Sequence, residues 1–243
     1  MPTKPTFQRL LLLTAGLLLP LALYLWRRGS LGDPLVDFGH ELFLAGRLAE
    51  GDRLYVDHFY YYGPVGPYVN ALALALLGPS WQGLIAAHFI LYLSFLAALS
   101  GILARFSSAG AAAFLLALVS LLFGFNHTTA LGNYNFLTPY RSALPYGLIA
   151  AAWSLLFLLK GSRAALFVSG AFGAACFGAK PEVFAALVAA LAPAPFLFLR
   201  QRPALVVSWL GGFAAAALAT TLALWAAGLH PADLWTGWIE SYL

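Results

Sequence analysis

Residues 82–104 read QGLIAAHFILYLSFLAALSGILA and contain no charged side chain. About 20 predominantly apolar residues are enough for a helix to cross the hydrocarbon core of a bilayer. Because lipid offers no hydrogen-bond partner to open backbone, an apolar stretch of this length is predicted to be a transmembrane helix.

The rest of the chain has the same character. It has 243 residues, of which 62% are hydrophobic and only 9% are charged, whereas about 25% of the residues of a soluble domain are charged. A soluble protein is therefore excluded, and we predict an all-α, polytopic membrane helix bundle of about seven spans. The predicted spans are 10–26, 82–104, 108–125, 143–159, 164–179, 182–199 and 204–228.

The basic residues indicate how the chain is oriented. They stand singly or in pairs at the ends of apolar runs, as in the short loops KGSR (160–163) and RQRP (200–203). Short loops rich in Lys and Arg stay in the cytoplasm. We therefore predict a multi-pass protein of the cell (inner) membrane with a cytoplasmic N-terminus and a first extracytoplasmic loop at 27–81. These basic residues anchor the spans at the membrane surface. The net charge of +4 is therefore no sign of a nucleic-acid partner.

The acidic residues are concentrated in that first loop. Residues 33–68 hold six of the nine acids, and all nine fall on the outer side of the predicted topology. Asp33 followed by Pro34 is typical of a helix start, and Gly51 is typical of a helix end. A helix is therefore predicted over 34–50, lying along the outer membrane surface.

This outer juxtamembrane helix is amphipathic. Its apolar stripe, at helical spacing, consists of Leu35, Phe38, Leu42 and either Ala45 or Phe43. Asp37 and Glu41 share a neighbouring face, which we expect to point at a cavity or at water. The stretch VNALALALLG (69–78) is too short to span the bilayer and is predicted to be half-buried or interfacial. A solvated linker helix between two spans would show the same amphipathic pattern.

The stretch SGAFGAACFGA (169–179) places small residues along one predicted span. Its glycines are predicted to let a neighbouring helix approach closely. Cys176 is the only cysteine of the chain, so it has no internal disulfide partner and is predicted to be a packing residue.

Three stretches together resemble a known enzyme family. The first is DFGHELFLAGRLAEGDRLYVDHFYYYGPVGPYVNALALALLG (37–78), which contains a carboxylate, a helix, a G-x-x-x-Y-x-D step and a Gly-Pro turn. The others are GNYNFLTPYRSALPYGL (132–148) and GAKPEVFAAL (178–187). They resemble the outer loops of multi-pass glycosyltransferases with the GT-C architecture. The likeness is to bacterial family 39-like enzymes, which are related to protein O-mannosyltransferases and aminoarabinose transferases.

The resemblance implies the transfer of a sugar from a polyprenyl-phosphate-linked donor to a glycan, lipid or protein acceptor. The transfer would take place at the extracytoplasmic face, with inversion of the anomeric carbon. It implies that Asp37 is the general base that takes the proton of the acceptor hydroxyl. Glu41 and Asp57 would support the acceptor or a metal ion. Arg141 and Lys180 would bind the phosphate of the donor.

Plainer roles compete for several of these residues. Asp57 also fits a turn or capping carboxylate, and Arg141 and Lys180 also fit cations that extend to the membrane interface. Glu182 follows closely enough to pair with Lys180. His88, inside a span, is predicted to pack or hydrogen-bond rather than to bind a ligand. No His or Cys spacing is typical of a metal site, so no metal ligand is assigned and a divalent cofactor is left open.

Two other classes of protein stay open. A polytopic transporter or a non-catalytic membrane scaffold would share the helical architecture. Transporters place ionisable groups near the bilayer midplane, whereas the interiors of the predicted spans lack Asp, Glu, Lys and Arg. Residues 1–243 are treated as one GT-C-like transmembrane module. Members of the family tend to be longer, so the sequence is either the whole module or a fragment of a longer chain.

Overall fold

The computed structural model describes residues 5–32, 37–126, 135–191 and 203–240. Within these residues the chain is helical and forms no β-strand, which confirms the all-α prediction. Short π-helical segments at Thr14–Leu18, Ser120–Gly124 and Trp235–Ile239 adjoin α-helices. The α-helices are α1 (Pro5–Leu13), α2 (Leu19–Arg27), α3 (Asp37–Ala49), α4 (Val65–Leu77), α5 (Trp81–Phe106), α6 (Ala109–Val119), α7 (Ala143–Leu158), α8 (Arg163–Ala179), α9 (Pro181–Leu191), α10 (Pro203–Ala226) and α11 (Pro231–Leu234).

Three helical stretches are long and apolar enough to cross a bilayer: Leu10–Arg27, Trp81–Phe106 and Pro203–Ala226. Large apolar side chains are exposed on the outside, for example Trp26 at 74% and Phe106 at 72%. Such a surface suits contact with lipid, so the chain has the character of a helical membrane protein. Each of the other predicted spans coincides with a shorter apolar helix over its described part, and the number of spans stays a prediction.

The main core forms around α5. The hydroxyl of Ser80 caps this helix by accepting a hydrogen bond from the backbone N–H of Gly83 at 3.0 Å. The inward face of α5 packs against α4, α6, α7 and the π-helical segment Thr14–Leu18, and Phe38 of α3 contacts its first turns. Its fully buried Tyr92 donates a hydrogen bond to Ser120 at 3.1 Å, which satisfies the one polar atom of a large side chain. The deeply buried core side chains of α5 are Leu84, Ile85, Phe89, Tyr92 and Leu96.

Helices α8 and α10 lie in very close contact. A Cβ atom at Gly170 would lie 1.9 Å from the carbonyl oxygen of Trp209, and one at Gly212 would lie 1.8 Å from that of Phe167. Only glycine permits this distance between the two backbones. The prediction that the glycines of residues 169–179 allow close helix contact is therefore confirmed. Cys176 is buried, as predicted for a packing residue.

Helix α3 ends as the sequence predicts. Gly51 has a φ of +106°, and the backbone N–H of Asp52 donates to the carbonyl of Arg47 at 3.1 Å. These are features of a Schellman motif, in which glycine adopts the left-handed conformation after the last helical turn. The predicted helix over 34–50 is confirmed from Asp37 onwards. The predicted start at Asp33 and Pro34 lies outside the described residues.

Candidate active site

Helix α3 packs on α4 with a face that differs from the predicted stripe. Phe38 and Ala45 are buried as expected, but Phe43 is 58% exposed and Leu42 is only partly buried. The buried face contains Glu41, which is 1% exposed. Its carboxylate therefore lies inside the protein and does not face open water. The side chain of Asp37, one helical turn earlier, lies outside the part that the structure describes.

The Glu41 carboxylate is held by two neighbouring helices. The hydroxyl of Ser142, at the start of α7, donates a short hydrogen bond to Oε2. The side-chain amide of Asn70, from α4, donates to the same oxygen at 3.2 Å. Burial raises the pKa of the Glu41 carboxyl above its ordinary value, and the hydrogen bonds from Ser142 and the charge of Arg141 oppose that shift.

Asn70 connects this carboxylate to a buried histidine on α5. The Oδ1 atom of Asn70 lies 3.1 Å from Nε2 of His88 and accepts a short hydrogen bond from the hydroxyl of Tyr146. The other ring nitrogen of His88, Nδ1, lies 2.9 Å from the carbonyl oxygen of Leu137. The prediction that His88 is a hydrogen-bonding residue is confirmed. Glu41, Asn70 and His88 thus form a continuous polar chain through an otherwise apolar core, and we call these three residues the buried triad.

Two buried oxygen atoms beside the triad make no hydrogen bond among the described residues. They are Oε1 of Glu41 and the hydroxyl of Tyr60. Oε1 lies 3.8 Å from Nη1 of Arg141. Burial, and next the charge of Glu41, raise the pKa of Tyr60 well above its ordinary range, so Tyr60 keeps its proton. A buried oxygen without a partner is costly, and here a pair of them lies next to a guanidinium group.

A cavity of about 370 Å³ opens beside Arg141. It also contains Lys180, so two cations that are far apart in the sequence line one space. Most of the wall is apolar. The lining residues are Tyr62, Phe123, Asn135, Phe136, Pro139, Tyr140, Arg141, Ala143, Leu144, Pro145, Leu148 and Lys180.

The two cations of the cavity are oriented by neighbouring side chains. Nη1 of Arg141 lies 3.0 Å from Nδ1 of His40. The ammonium group of Lys180 lies 3.0 Å from the carboxylate of Glu182, as predicted, and 4.1 Å from the centre of the Tyr62 ring. The Glu182 side chain is 54% exposed, so this ion pair is at the surface, where such pairs contribute only about 0–1 kcal/mol. An anion in the cavity can therefore replace the Glu182 carboxylate as the partner of Lys180 at little cost in free energy.

The loop before α7 is shaped by one side chain. Oδ1 of Asn135 accepts hydrogen bonds from the backbone N–H groups of Leu137 at 2.9 Å and Thr138 at 2.7 Å. This is a local turn of the kind that Asn favours, and it leads into Arg141 and Ser142. Asn133, which belongs to the same sequence stretch, lies outside the described residues.

The loop after α3 is seated on the end of α8. A Cβ atom at Gly63 would lie 2.0 Å from the carbonyl oxygen of Gly178. The loop backbone can come this close only because residue 63 has no side chain. The contact brings Tyr62 next to Lys180. The Gly63-Pro64 turn therefore joins the segment between α3 and α4 to the junction of α8 and α9, which carries Lys180.

Asp57 has a local role in this structure. Its Oδ2 accepts a hydrogen bond from the backbone N–H of Arg53 at 2.8 Å and lies 3.3 Å from the Arg53 guanidinium. These contacts lower the pKa of the Asp57 carboxyl. This is the geometry of a turn carboxylate, and any support that Asp57 gives to an acceptor remains a prediction.

Sequence reasoning missed the residues that link the site. Asn70 is the only polar side chain in VNALALALLG, and a lone amide in an apolar helix is a signal that it needs buried partners. Ser142 begins α7 but does not cap it, because its hydroxyl binds Glu41 instead. In the described residues no group of three or more His, Cys, Asp or Glu side chains is placed to hold a metal ion.

Comparisons of the chain with models of protein families, with curated proteins and with solved structures give no match. The geometry of the site and the motifs in the sequence are therefore the basis for a functional assignment.

Proposed function

We propose that this chain is a GT-C-type glycosyltransferase of the cell membrane, with seven spans and a cytoplasmic N-terminus. It transfers a sugar from a polyprenyl-phosphate-linked donor to an acceptor at the extracytoplasmic face. The observation that carries the proposal is the cavity, because Arg141 and Lys180 share it with a largely apolar wall. A lipid phosphate needs both features, which are cations for the head group and an apolar surface for the first isoprene units.

The cations have donors available for a phosphate. Both contacts of Arg141 to His40 and Glu41 use Nη1, whereas a guanidinium carries five N–H donors. The remaining N–H groups of the Arg141 guanidinium can therefore bind two phosphate oxygens at once, which is the bidentate geometry that favours Arg at such sites. Lys180 adds a point charge that stabilises the phosphate as it leaves the sugar.

Asp37 is the general base in this proposal. It is the first residue of α3 and precedes Glu41 by one turn, so both residues belong to the same side of the helix. Glu41 orients Arg141 and does not itself take the acceptor proton, because it is buried among Asn70 and Ser142. Asp57 shapes the loop that approaches the cavity.

The proposal is tested by the binding of farnesyl phosphate to the purified chain in detergent micelles, with farnesol as the uncharged control. Farnesyl phosphate is expected to bind, and farnesol to bind much more weakly. A hydrogen bond to a charged group contributes roughly 1.5–3 kcal/mol, so Arg141→Ala and Lys180→Ala should each weaken binding about 10- to 100-fold. Arg47→Ala is the matched control, because Arg47 is an exposed arginine that pairs with Glu50 and Asp52. Equal binding of the alcohol and the phosphate would contradict the proposal.

Transfer itself is measured in vesicles with a labelled sugar on polyprenyl phosphate, and a series of sugars is compared.

A second candidate function, a proton-linked transporter, is favoured by one observation. The buried triad connects two ionisable residues inside the bundle, as in proton pathways of transporters. Uptake of the free sugar into vesicles without transfer to an acceptor would favour this candidate.

A further inference from the structure

The hydrogen atoms of the buried triad can be counted from its geometry. Glu41 is 1% exposed, Asn70 is 0% exposed and His88 is 2% exposed. All three are therefore cut off from bulk water, and the hydrogen bonds that they make are to groups of the protein. The protonation states of Glu41 and His88 then depend on which neighbouring atoms donate a hydrogen bond and which accept one.

His88 faces two acceptors. The carbonyl oxygen of Leu137 only accepts, so Nδ1 of His88 carries a hydrogen atom. Nε2 faces Oδ1 of Asn70, which is also only an acceptor. A neutral imidazole has one N–H and cannot make both bonds. With Asn70 oriented in this way, His88 is therefore an imidazolium. Glu41 accepts hydrogen bonds from the side-chain amide of Asn70 and the hydroxyl of Ser142, so it is a carboxylate.

A second arrangement has the same positions of all heavy atoms. The oxygen and nitrogen of an amide are nearly equal in size, so the Asn70 side chain can turn over in place. Its Nδ2 then donates to Nε2 of a neutral His88, and its Oδ1 accepts a hydrogen bond from Oε2–H of a neutral Glu41. The net change is the transfer of one proton from Nε2 of His88 to Oε2 of Glu41, and no other group changes its charge.

We infer that Glu41 and His88 share a single proton through Asn70, and that the position of this proton decides whether Arg141 faces a carboxylate or a neutral acid. Two opposing effects keep both arrangements accessible. Removing both charges from water is costly and favours the neutral pair. The hydrogen bonds to Glu41 and the nearby Arg141 favour the charged pair.

The position of the proton is coupled to the cavity. An anion bound by Arg141 repels the carboxylate of Glu41 and so draws the proton from His88 to Glu41. Arg141 then faces the anion and no longer faces a carboxylate at Glu41. Glu41 and His88 act here as positioning residues, and this coupling to an anion rests on the proposed function.

Other titratable groups face Glu41 from each neighbouring element, and none of them replaces His88. Arg141 stays protonated at every accessible pH. His40 accepts from Arg141 at Nδ1 and approaches that guanidinium rather than the triad. Tyr60, on the loop, keeps its proton for the reason given above. Tyr146 donates to Asn70 in the charged arrangement, and Lys180 belongs to the cavity wall.

The inference is tested first on the unliganded wild-type chain at pH 8, which lies above the ordinary pKa of both histidine and glutamate. Nitrogen NMR of ¹⁵N-histidine reports whether Nε2 of His88 carries a proton, and His88→Gln assigns the signal. Infrared difference spectroscopy reports the C=O band of a protonated Glu41, and Glu41→Gln assigns it. We expect one proton in total on the two atoms Nε2 of His88 and Oε2 of Glu41. The absence of a proton from both atoms, or a proton on each of them, would overturn the inference.

A variant tests the link between the two residues. Glu41→Gln is expected to change the protonation of Nε2 of His88, although Asn70 lies between them. Glu50→Gln is the control, because it replaces an exposed carboxylate directly after the same helix. It should leave the His88 signal unchanged. A network with only a structural role would show neither a proton on Nε2 of His88 nor the band of a protonated Glu41 in the wild-type chain at pH 8.

Farnesyl phosphate separates this inference from the proposed function. If the lipid phosphate binds, the infrared band of protonated Glu41 should grow and the Nε2–H signal of His88 should decrease. If it binds and neither signal moves, the coupling to the cavity is wrong. If it does not bind, the proposed function fails, while the proton count at pH 8 still decides whether Glu41 and His88 share a proton.

Discussion

The Glu41 carboxylate lies 3.8 Å from the guanidinium of Arg141, and the same guanidinium lines the cavity that contains Lys180. Helix α3 therefore supplies the group that orients a cation next to the start of α7. A buried carboxylate with the hydrogen bonds of Ser142 and Asn70 is a rigid partner, so the guanidinium is held at the edge of the cavity without filling it.

Asp37→Asn is expected to leave the protein folded, because the replacement has nearly the same shape. It should lower sugar transfer by about 10²- to 10⁴-fold, which is the usual contribution of a general base. Glu41→Gln should lower transfer less, since Glu41 acts through Arg141. The measurement is the transfer of labelled sugar from polyprenyl phosphate in vesicles. Turnover by Asp37→Asn at the wild-type rate would reject the assignment, and Asp57→Asn would be measured next.

Asn70→Leu should destabilise the protein, although it places an apolar side chain in a buried position. It removes the donor to Glu41 and the acceptor for His88 and Tyr146, and each buried polar group left without a partner costs about 1–3 kcal/mol. Thermal unfolding in detergent, followed by circular dichroism, measures the effect. Ser208→Ala is the control, because its hydroxyl is exposed and bonds only to its own helix. A melting temperature of Asn70→Leu equal to that of the control would show that the triad adds nothing to stability.

Gly63→Ala should disturb the cavity and lower stability, because residue 63 is buried. The added Cβ would lie 2.0 Å from the carbonyl oxygen of Gly178, so the loop must move away from α8. Tyr62 then loses its contact with Lys180, and we expect weaker binding of farnesyl phosphate together with a lower melting temperature. Gly46→Ala is the matched control, because a Cβ at that half-buried position in α3 would have no neighbour within 4 Å. Equal affinities of the two variants would contradict the role of the close approach.

The predicted topology is tested with an impermeant thiol reagent in a Cys176→Ala background. Glu50→Cys, at the end of α3, should be labelled in intact cells because residues 27–81 are predicted to be extracytoplasmic. Lys160→Cys, in the short loop KGSR, should be labelled only after lysis. The reverse pattern would place α3 in the cytoplasm and remove the basis for an outer active site.

The positions of the helices could be predicted from local features of the sequence. Apolar runs without charges set the helices at Trp81–Phe106 and Pro203–Ala226, because lipid tolerates only backbone that is hydrogen-bonded within its own segment. The end of α3 at Gly51 followed from the conformational freedom of glycine. The pairing of Lys180 with Glu182 was also predictable, because the two residues are close in the chain.

The face of α3 was only partly predictable. Hydrophobic periodicity correctly predicted that Phe38 and Ala45 are buried. It also predicted that the Glu41 side chain points at water or at a cavity, whereas Glu41 is buried inside the protein. Periodicity assumes that a carboxylate avoids the interior. Here Ser142 and Asn70 compensate the loss of water by hydrogen bonding, and those partners lie on other helices, which a local pattern does not identify.

The amino-acid sequence alone determined that this is a helical membrane protein, where most helices begin and end, and that Arg141 and Lys180 are candidate anion ligands. These properties depend on the composition and order of neighbouring residues. Only the tertiary structure decided that Arg141 and Lys180 share one cavity and that Glu41 is joined to His88 through Asn70. The physical reason is that these contacts depend on how α3, α4, α5 and α7 pack. Packing is set by residues far apart in the chain, such as Gly63, whose missing Cβ lets its backbone meet the carbonyl group of Gly178.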